Sequence, residues 1–408
     1  MMKTLELLAP AGDYEKLRMA LEYGADAVYC GAEMFGLRAG AKNFTKETLA
    51  QAIEYTHQKE KKIYLTLNVF AHNQDIVALE EYLEEIKGLA FDAFIVSDPG
   101  IFALLREKCP QIPIHLSTQA NTTNYRSAAF WHEQGAKRIV LARELSLGEI
   151  REIRENTPED LELEAFVHGA MCISYSGRCL LSAYMTGRDA NRGECAHPCR
   201  WKYRLEEEQR PGEYYPFVED ERGSYIFNSK DLCMIEHIPE LVRSGITSFK
   251  IEGRTKSIFY VATVTTVYRK AMDAYLSDPE KYSFRQEWLE ELEKVSHRIF
   301  STGFYFNKPD ANSQNYETSQ YVREYSFAGL VLDYDADTGM ALIEQRNRMD
   351  LGDVIEIFGP TRAPFTQTIE ELWDEEGQSI TSAPHAQQRI RMRVKQPVQE
   401  NYMVRKPK

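Results

Sequence analysis

The sequence predicts an α/β protein: a closed (β/α)8 barrel of the TIM type with a long insertion, followed by a small all-β barrel domain. Eight short apolar runs alternate with amphipathic helical patterns before residue 255, and eight parallel strands with crossover helices close a barrel. The 408 residues leave room for a barrel of about 250 residues and an appendage. After residue 326 the pattern changes to short alternating strands separated by turns, which is typical of an all-β domain.

The eight runs that predict barrel strands are rich in apolar or β-branched residues. Helical patterns such as Tyr14–Leu21 and Thr45–His57 separate most of them, so consecutive strands should pair in parallel. An open doubly wound sheet is the alternative, but its Gly-x-Gly dinucleotide fingerprint is absent from the sequence. The predicted strands are Leu5–Ala9, Ala27–Cys30, Ile63–Val69, Ala93–Ser97, Ile114–Gln119, Arg138–Arg143, Leu163–His168 and Ser248–Glu252.

The connection between the seventh and eighth strands is unusually long. About 80 residues lie between them, and a connection of that length inside a compact domain is usually functional. We therefore predict a catalytic domain over residues 1–301 with an insertion at about 169–247. Residues 302–326 are predicted as a linker and 327–408 as the β domain, with strands at Ala328–Leu332, Met340–Glu344, Asp353–Phe358, Phe365–Glu370 and Arg389–Val394.

Composition limits the class of protein. The hydrophobic fraction of 43% predicts a folded core, and no apolar run is long enough to cross a membrane. The N-terminal apolar stretch is too short for a secretory signal, so we expect a cytoplasmic protein with no membrane partner. A net charge of −13 argues against nucleic acid coating the whole surface, but it leaves room for a local basic patch.

Polar side chains stand where several predicted barrel strands end. Active sites of β/α barrels lie at that face because the strand-to-helix loops converge there. We expect one pocket and assign its catalytic candidates as Asn68, Gln119, His168 and Glu252. Arg38 and Arg254 could add cations for a carboxylate, which the forked guanidinium group binds bidentately. The alternative is that these groups only hydrogen-bond the backbone at strand ends.

Four of the seven cysteines cluster inside the insertion. Cys172 and Cys179 have six residues between them, and Cys195 and Cys199 have three. The second spacing fits a zinc site, but the first is unusual for one. An iron–sulfur cluster also takes thiolate ligands and tolerates varied spacing. From the spacing alone, a cluster, a structural zinc and ordinary buried or transiently oxidised cysteines all remain open. The isolated cysteines, which we leave out of the site, are Cys30, Cys109 and Cys233.

The stretch Glu164–Cys179, EAFVHGAMCISYSGRC, resembles the signature of the collagenase-like peptidase family. The resemblance covers nearly the whole chain, including the C-terminal domain, and is strongest to the branch that hydroxylates the wobble uridine of tRNA to 5-hydroxyuridine. Further matching stretches are Leu7–Gly12, Gly24–Tyr29, Ser117–Asn121, Asn228–Leu232 and Lys250–Arg254.

The resemblance implies a cofactor and a set of partners. It implies a 4Fe–4S cluster held by Cys172, Cys179, Cys195 and Cys199, and therefore dependence on the cell's iron–sulfur assembly machinery. It also implies prephenate as co-substrate and the tRNA anticodon loop as partner. Prephenate is a dicarboxylate that Arg38, Arg143 or Arg254 could hold, and the splayed base could stack on Tyr175 or Phe70.

Other functions compete with this interpretation. A peptidase is suggested by the family's name, although the Gly-x-Ser-x-Gly and His-Glu-x-x-His motifs are both absent. A related hydroxylase acting on rRNA or on a quinone precursor is a second alternative. A noncatalytic RNA-binding module is a third.

Cations and apolar residues alternate from Arg389 to Lys395. On a strand, Arg389, Arg391 and Arg393 would therefore share one face while Ile390, Met392 and Val394 pack inward. We interpret the three arginines as contacts to the phosphates of tRNA. The alternative is a solvated outer face of a small barrel. Further cations follow at Arg405, Lys406 and Lys408.

Overall fold

A computed structural model confirms the predicted fold class. It describes residues 5–32, 43–172, 178–203, 205–206, 214–215, 219–220, 223–225, 230–306 and 322–408. For the residues of these ranges between 202 and 225, the structure describes only the backbone. Eight strands pair in parallel with their neighbours, and the eighth pairs with both the seventh and the first, so the sheet closes into a barrel. The strands are β1 Glu6–Pro10, β2 Ala27–Cys30, β3 Lys62–Leu67, β4 Ala93–Val96, β5 Ile114–Leu116, β6 Ala136–Val140, β7 Glu162–Ala170 and β8 Ser248–Ile251.

Helices surround the barrel, and their starts are fixed by short polar residues. The side chains of Asp13, Thr45 and Ser257 each accept a hydrogen bond from a backbone N–H of the first turn, which satisfies a donor that the helix itself leaves open. The helices are α1 Tyr14–Glu22, α2 Lys46–Gln58, α3 Asn73–Ile86, α4 Pro99–Lys108, α5 Tyr125–Glu133, α6 Leu147–Glu155, α7 Leu181–Thr186, α8 Ile238–Arg243, α9 Ile258–Ser277 and α10 Gln286–Glu293. None of the helices in the described ranges is long and apolar enough to cross a bilayer.

Side chains that alternate between the two faces of the barrel strands form two apolar layers, one outside and one inside the barrel. Outward side chains such as Leu7, Val28 and Leu65 pack under the helices in the main core. Inward side chains form a smaller cluster within the barrel, which contains Leu8, Ala27, Tyr29, Tyr64, Ala93 and Ile95. Both faces of each strand are therefore buried, and this explains why the strands read as continuous apolar runs in the sequence.

The C-terminal domain is an antiparallel half-barrel of seven strands. Its own core includes Ile343, Ile355 and Ile390. In sheet order the strands are Phe365–Thr368, Val354–Phe358, Met403–Pro407, Tyr325–Asp335, Met340–Gln345, Arg389–Arg393 and Trp373–Asp374. A separate two-stranded sheet pairs Met349–Asp350 with Ser382–Ala383.

Arg405 joins the two domains and is not part of a basic surface. Its side chain is fully buried, donates to Glu291 Oε2 at 2.8 Å and to Glu356 Oε1 at 2.7 Å, and lies over the Phe358 ring. Burial alone would raise the pKa of Glu291, but the Arg405 hydrogen bonds outweigh it and lower that pKa. Lys406 is also paired, at 2.7 Å from Asp353. The expectation that Arg405 adds to an exposed run of cations is therefore wrong, because two carboxylates hold it at the interface.

Candidate active site at the barrel mouth

The cysteine-bearing segment, residues 178–201, is fastened beside the barrel mouth. Arg192 makes two hydrogen bonds to Asp75 at the start of α3, at 2.8 and 2.9 Å. Those bonds are the main reason that the pKa of Asp75 falls to about 2. Arg178 lies 5.1 Å from the ring centroid of Phe70. One contact reaches the loop that follows β3 and the other the first turn of α3, so the segment stands next to the carboxyl end of β3.

The seven cysteines divide into two groups by exposure. Cys30, Cys109 and Cys233 are buried in the main core, and burial raises the pKa of Cys30 and of Cys233 to about 12. The clustered cysteines are accessible: Cys172 is exposed, and half-buried positions are taken by Cys179, Cys195 and Cys199. Because a thiolate is the species that binds metal, the accessible cysteines are the suitable ligands.

The four clustered cysteines supply thiols, which are the ligands that an iron–sulfur cluster requires. Cys195 Sγ accepts a hydrogen bond from the backbone N–H of His197 at 3.4 Å, and the Ser182 hydroxyl accepts one from the backbone of Ala196 at 3.0 Å. Across the described ranges, no three histidine, cysteine, aspartate or glutamate side chains are grouped closely enough to hold a metal ion. Ligation by Cys172, Cys179, Cys195 and Cys199 therefore stays a prediction, which rests on the family resemblance and on four accessible thiols, three in this segment and Cys172 just after β7.

Asn68 and Gln119 meet at the ends of β3 and β5. The Asn68 amide donates to Ser117 Oγ at 3.4 Å, and the same oxygen accepts from the Gln119 backbone at 3.4 Å. Asn68 Oδ1 and Gln119 Oε1 are both buried and have no hydrogen-bond partner among the residues that the structure describes. Buried acceptors are nearly always satisfied, so these two oxygens can accept a hydrogen bond from water or from an N–H or O–H group of a ligand.

Glu252 stands at the inner rim, one step beyond β8. Its Oε2 lies 3.3 Å from the Tyr29 hydroxyl, which is also 2.8 Å from the carbonyl oxygen of Ile251. Lys250 is buried one layer deeper, with Nζ 4.6 Å from the centroid of the Tyr29 ring and 2.7 Å from Glu164. Glu252 therefore places a carboxylate directly after the carboxyl end of β8, and its catalytic role stays a prediction.

His168 does not share the mouth with these residues. The pairing of β7 with β8 shifts register, so that Lys250 opposes Phe166 while Ile251 opposes His168. The shift turns the imidazole away from the barrel and onto α9, where its ring centroid lies 5.9 Å from that of Tyr260 and 5.6 Å from that of Tyr268. Burial is the main cause that lowers the pKa of His168 to about 3. The expectation that it faces the common pocket is corrected by this register shift.

Two of the predicted arginines lie at the mouth. Arg254 is buried and donates to Asn43 Oδ1 at 2.5 Å and to Thr66 Oγ1 at 3.3 Å. It fits there because Gly31 has no side chain, and a Cβ at that position would lie 2.0 Å from the guanidinium. Arg143 is half-buried, donates to the Ala170 carbonyl oxygen at 2.9 Å and lies 5.3 Å from the Phe166 ring centroid. Arg38 and Tyr175 lie outside the described residues.

A buried ion network fills the opposite end of the barrel, and sequence reasoning missed it. Arg138 bonds to Glu6 and lies 3.0 Å from Glu164, which in turn pairs with Lys250 at 2.7 Å. Tyr64 donates to Glu6 at 2.7 Å. Burial would lower the pKa of Arg138, but the two glutamates outweigh it and raise that pKa well above its usual value. The sequence did contain a pattern that could have revealed this network, because these charged residues occupy alternate, inward-facing strand positions.

The strand Arg389–Arg393 has the orientation that its sequence predicts. Burial alternates along it, with Ile390 and Met392 buried and the three arginines exposed. Arg393 donates to the Thr338 carbonyl oxygen at 2.7 Å, and Arg389 lies 3.2 Å from Glu375. The exposed arginine face is confirmed, and its contact with RNA stays a prediction.

Comparison with known proteins identifies the relatives of the chain. Residues 12–315 match the family described as peptidase family U32, and residues 323–405 match that family's C-terminal domain. The tRNA hydroxylation protein P1 of Bacillus subtilis (strain 168) is 45% identical over 100% of this chain and 96% of its own length. The tRNA hydroxylation protein P of Escherichia coli (strain K12) is 38% identical over 97% of this chain and 95% of its own. A Porphyromonas gingivalis (strain W83) protein named collagenase is 33% identical over 96% of this chain and 95% of its own.

Proposed function

This chain belongs to peptidase family U32, and we propose that it is a tRNA hydroxylase that forms 5-hydroxyuridine at the wobble position. The observation that carries the proposal is the placement of four accessible cysteines beside a barrel mouth that holds two unsatisfied buried acceptors, Asn68 Oδ1 and Gln119 Oε1. Two relatives that span nearly the whole chain are named as tRNA hydroxylation proteins. Together these features favour RNA hydroxylation over the other activities that the family's names suggest.

Hydroxylation at C5 of uracil requires redox or group-transfer chemistry that side chains alone do not supply. A 4Fe–4S cluster, delivered by the iron–sulfur assembly machinery and held by Cys172, Cys179, Cys195 and Cys199, would supply electron transfer at this site. Prephenate is the proposed co-substrate. Arg143 is well placed for one of its carboxylates because the guanidinium lies at the end of β6, half-buried and above the Phe166 ring.

The residues of the mouth hold the base. A wobble uridine lies in a single-stranded loop, so it can be splayed out of the stack and enter a pocket. Gln119 Oε1 and Asn68 Oδ1 would accept hydrogen bonds from N3–H of the uracil and from a ribose hydroxyl. Glu252 is the carboxylate at the rim that could hold a proton during the reaction. The ion network around Arg138 closes the far end of the barrel, so substrates enter from the mouth.

A peptidase is the second candidate, and the observation that favours it is the name of the Porphyromonas gingivalis relative. That relative has 33% identity, against 45% and 38% for the two that are named for tRNA hydroxylation. A related hydroxylase that acts on rRNA or on a quinone precursor would use the same mouth. Nucleoside analysis of rRNA and tRNA from one strain distinguishes the two RNA substrates.

Replacing Gln119 with leucine should lower tRNA hydroxylation about tenfold, since one lost hydrogen bond in a closed site costs about 1–1.5 kcal/mol. Glu252→Gln should lower it further if the carboxylate holds a proton, because general acid–base groups contribute roughly 10²–10⁴-fold. The measurement is the 5-hydroxyuridine content of tRNA in a strain that lacks the native gene and carries each variant. Gln58→Leu, on an exposed position of α2, is the matched control. Full hydroxylation by both mouth variants would contradict this placement of the site.

Replacing Arg389, Arg391 and Arg393 with serine should weaken tRNA binding and flatten its salt dependence. Each phosphate contact that is lost removes about 0.7–0.9 from the slope of log K against log salt, so the slope should fall by roughly two to three. Titration of the holoprotein with tRNA at several salt concentrations measures this. The charge-matched control replaces exposed cations elsewhere, Lys87, Arg243 and Lys281, with serine. An unchanged slope in the arginine variant would place the phosphate contacts on another surface.

A further inference from the structure

Large apolar side chains are exposed in the cysteine-bearing segment. Tyr184 is 87% exposed, Leu180 67%, Trp201 41% and Met185 40%. We call these four residues the apolar patch. Only ten large apolar side chains are exposed in the described part of the chain, and four of them lie within these 24 residues. An exposed apolar group of this kind usually marks a binding surface.

The patch is built on a fixed framework. Helix α7, which carries Tyr184 and Met185, packs against the turn Pro198–Arg200 that leads into Trp201. Buried Ser182 on α7 accepts a hydrogen bond from Ala196, which ties the helix to the second cysteine pair. Through the Arg192–Asp75 and Arg178–Phe70 contacts described above, the same segment is joined to the loop after β3. The patch is thus held beside the mouth that receives the substrate base.

Charge indicates what the patch binds. With its cysteines left aside, the segment has four arginines and two acidic residues, a formal net charge of +2 in a chain whose total is −13, and one of the arginines, Arg192, is paired with Asp75. The arginines are Arg178, Arg188, Arg192 and Arg200, and the acids are Asp189 and Glu194. Aromatic rings among cations are the combination that binds single-stranded nucleic acid, because bases stack on the rings while cations attract the phosphates. A second copy of this acidic chain would also meet opposite charge at the patch, and the experiment below distinguishes that occupant from RNA.

We propose that the apolar patch stacks the unpaired anticodon-loop bases that flank the modified nucleotide, with Tyr184 and Trp201 as the stacking platforms. The inference rests on the proposed function and adds a binding surface outside the barrel mouth. Stacking of one base on an aromatic ring is independent of base identity. This surface therefore distinguishes unpaired from paired bases but does not distinguish one base from another. Asn68 and Gln119 at the mouth would select the base that is modified.

Tyr184→Ala and Trp201→Ala should each raise the Kd for an anticodon stem–loop hairpin by roughly five- to hundredfold. They should leave the Kd for a blunt duplex of the same stem unchanged, because a duplex offers no unpaired bases. The experiment uses the full-length, cluster-loaded protein, with iron content measured for every variant. Tyr184→Phe and Trp201→Phe should restore the affinity for the hairpin, since phenylalanine keeps a ring. Phe130→Ala, 53% exposed on α5, is the matched control and should change neither Kd.

The outcomes separate this inference from the proposed function. Wild-type affinity for the hairpin in both alanine variants, in protein that still hydroxylates tRNA, would overturn the stacking surface alone. Equal losses for hairpin and duplex would also overturn it, because they would indicate a general effect on the segment. A dimer that Tyr184→Ala dissociates without changing the hairpin Kd would assign the patch to a second copy of the chain. A wild-type protein that binds neither RNA would instead count against the proposed function.

Discussion

Cys179→Ala and Cys195→Ala are expected to lose most of their iron, and tRNA hydroxylation with it. A 4Fe–4S cluster is held by four cysteine thiolates, so the loss of one ligand removes or disables it. Cys109→Ala and Cys233→Ala should keep the iron, because both thiols are buried in the main core away from the segment. The measurement is iron and sulfide per chain, together with the visible spectrum, after purification without air.

Equal iron content in all four variants would defeat the assignment of the ligands. Zinc in place of iron, in protein purified without air, would remove the redox chemistry from the proposed function. Because Cys109 and Cys233 are buried, their substitution by alanine tests for effects of cysteine loss on the fold. The comparison therefore separates ligand loss from general destabilisation.

Arg138→Leu is expected to lower the free energy of unfolding by roughly 3–5 kcal/mol. The substitution removes the cation that Glu6 and Glu164 share inside the barrel, which leaves Glu6 without its buried partner and Glu164 with Lys250 alone. Denaturant titration gives the change through the shift of the midpoint at constant slope. Arg243→Leu, at a site whose side chain is 63% exposed, is the control and should change the free energy by less than about 1 kcal/mol. Equal stability of the two variants would show that the barrel interior tolerates an unpaired charge.

The barrel could be predicted from the sequence because each strand is buried on both faces. That burial produces the apolar runs, and the intervening helices force parallel pairing. The predicted bounds of β2 agree with the structure at both ends, and the run predicted for β8 differs by one residue at its end. Glu252 and Asn68 were assigned to the mouth because each is a polar residue at the end of a predicted strand.

The position of His168 could not be read from the sequence. A period of two along β7 would place it on the same face as Glu164 and Phe166, yet the register shift against β8 moves it to the helix layer. Such a shift depends on which residues face each other across two strands, and one strand alone does not encode that. Arg405 was misjudged for a related reason, because its partners Glu291 and Glu356 lie far away in the chain.

Hydroxylation of the wobble uridine of tRNA is the activity that we propose for this chain. Nucleoside mass spectrometry of tRNA from a strain that lacks the gene tests it most directly. We expect 5-hydroxyuridine to fall when the gene is deleted and to return with the wild-type gene, but not with Cys179→Ala. An unchanged level of 5-hydroxyuridine in the deletion strain would contradict it.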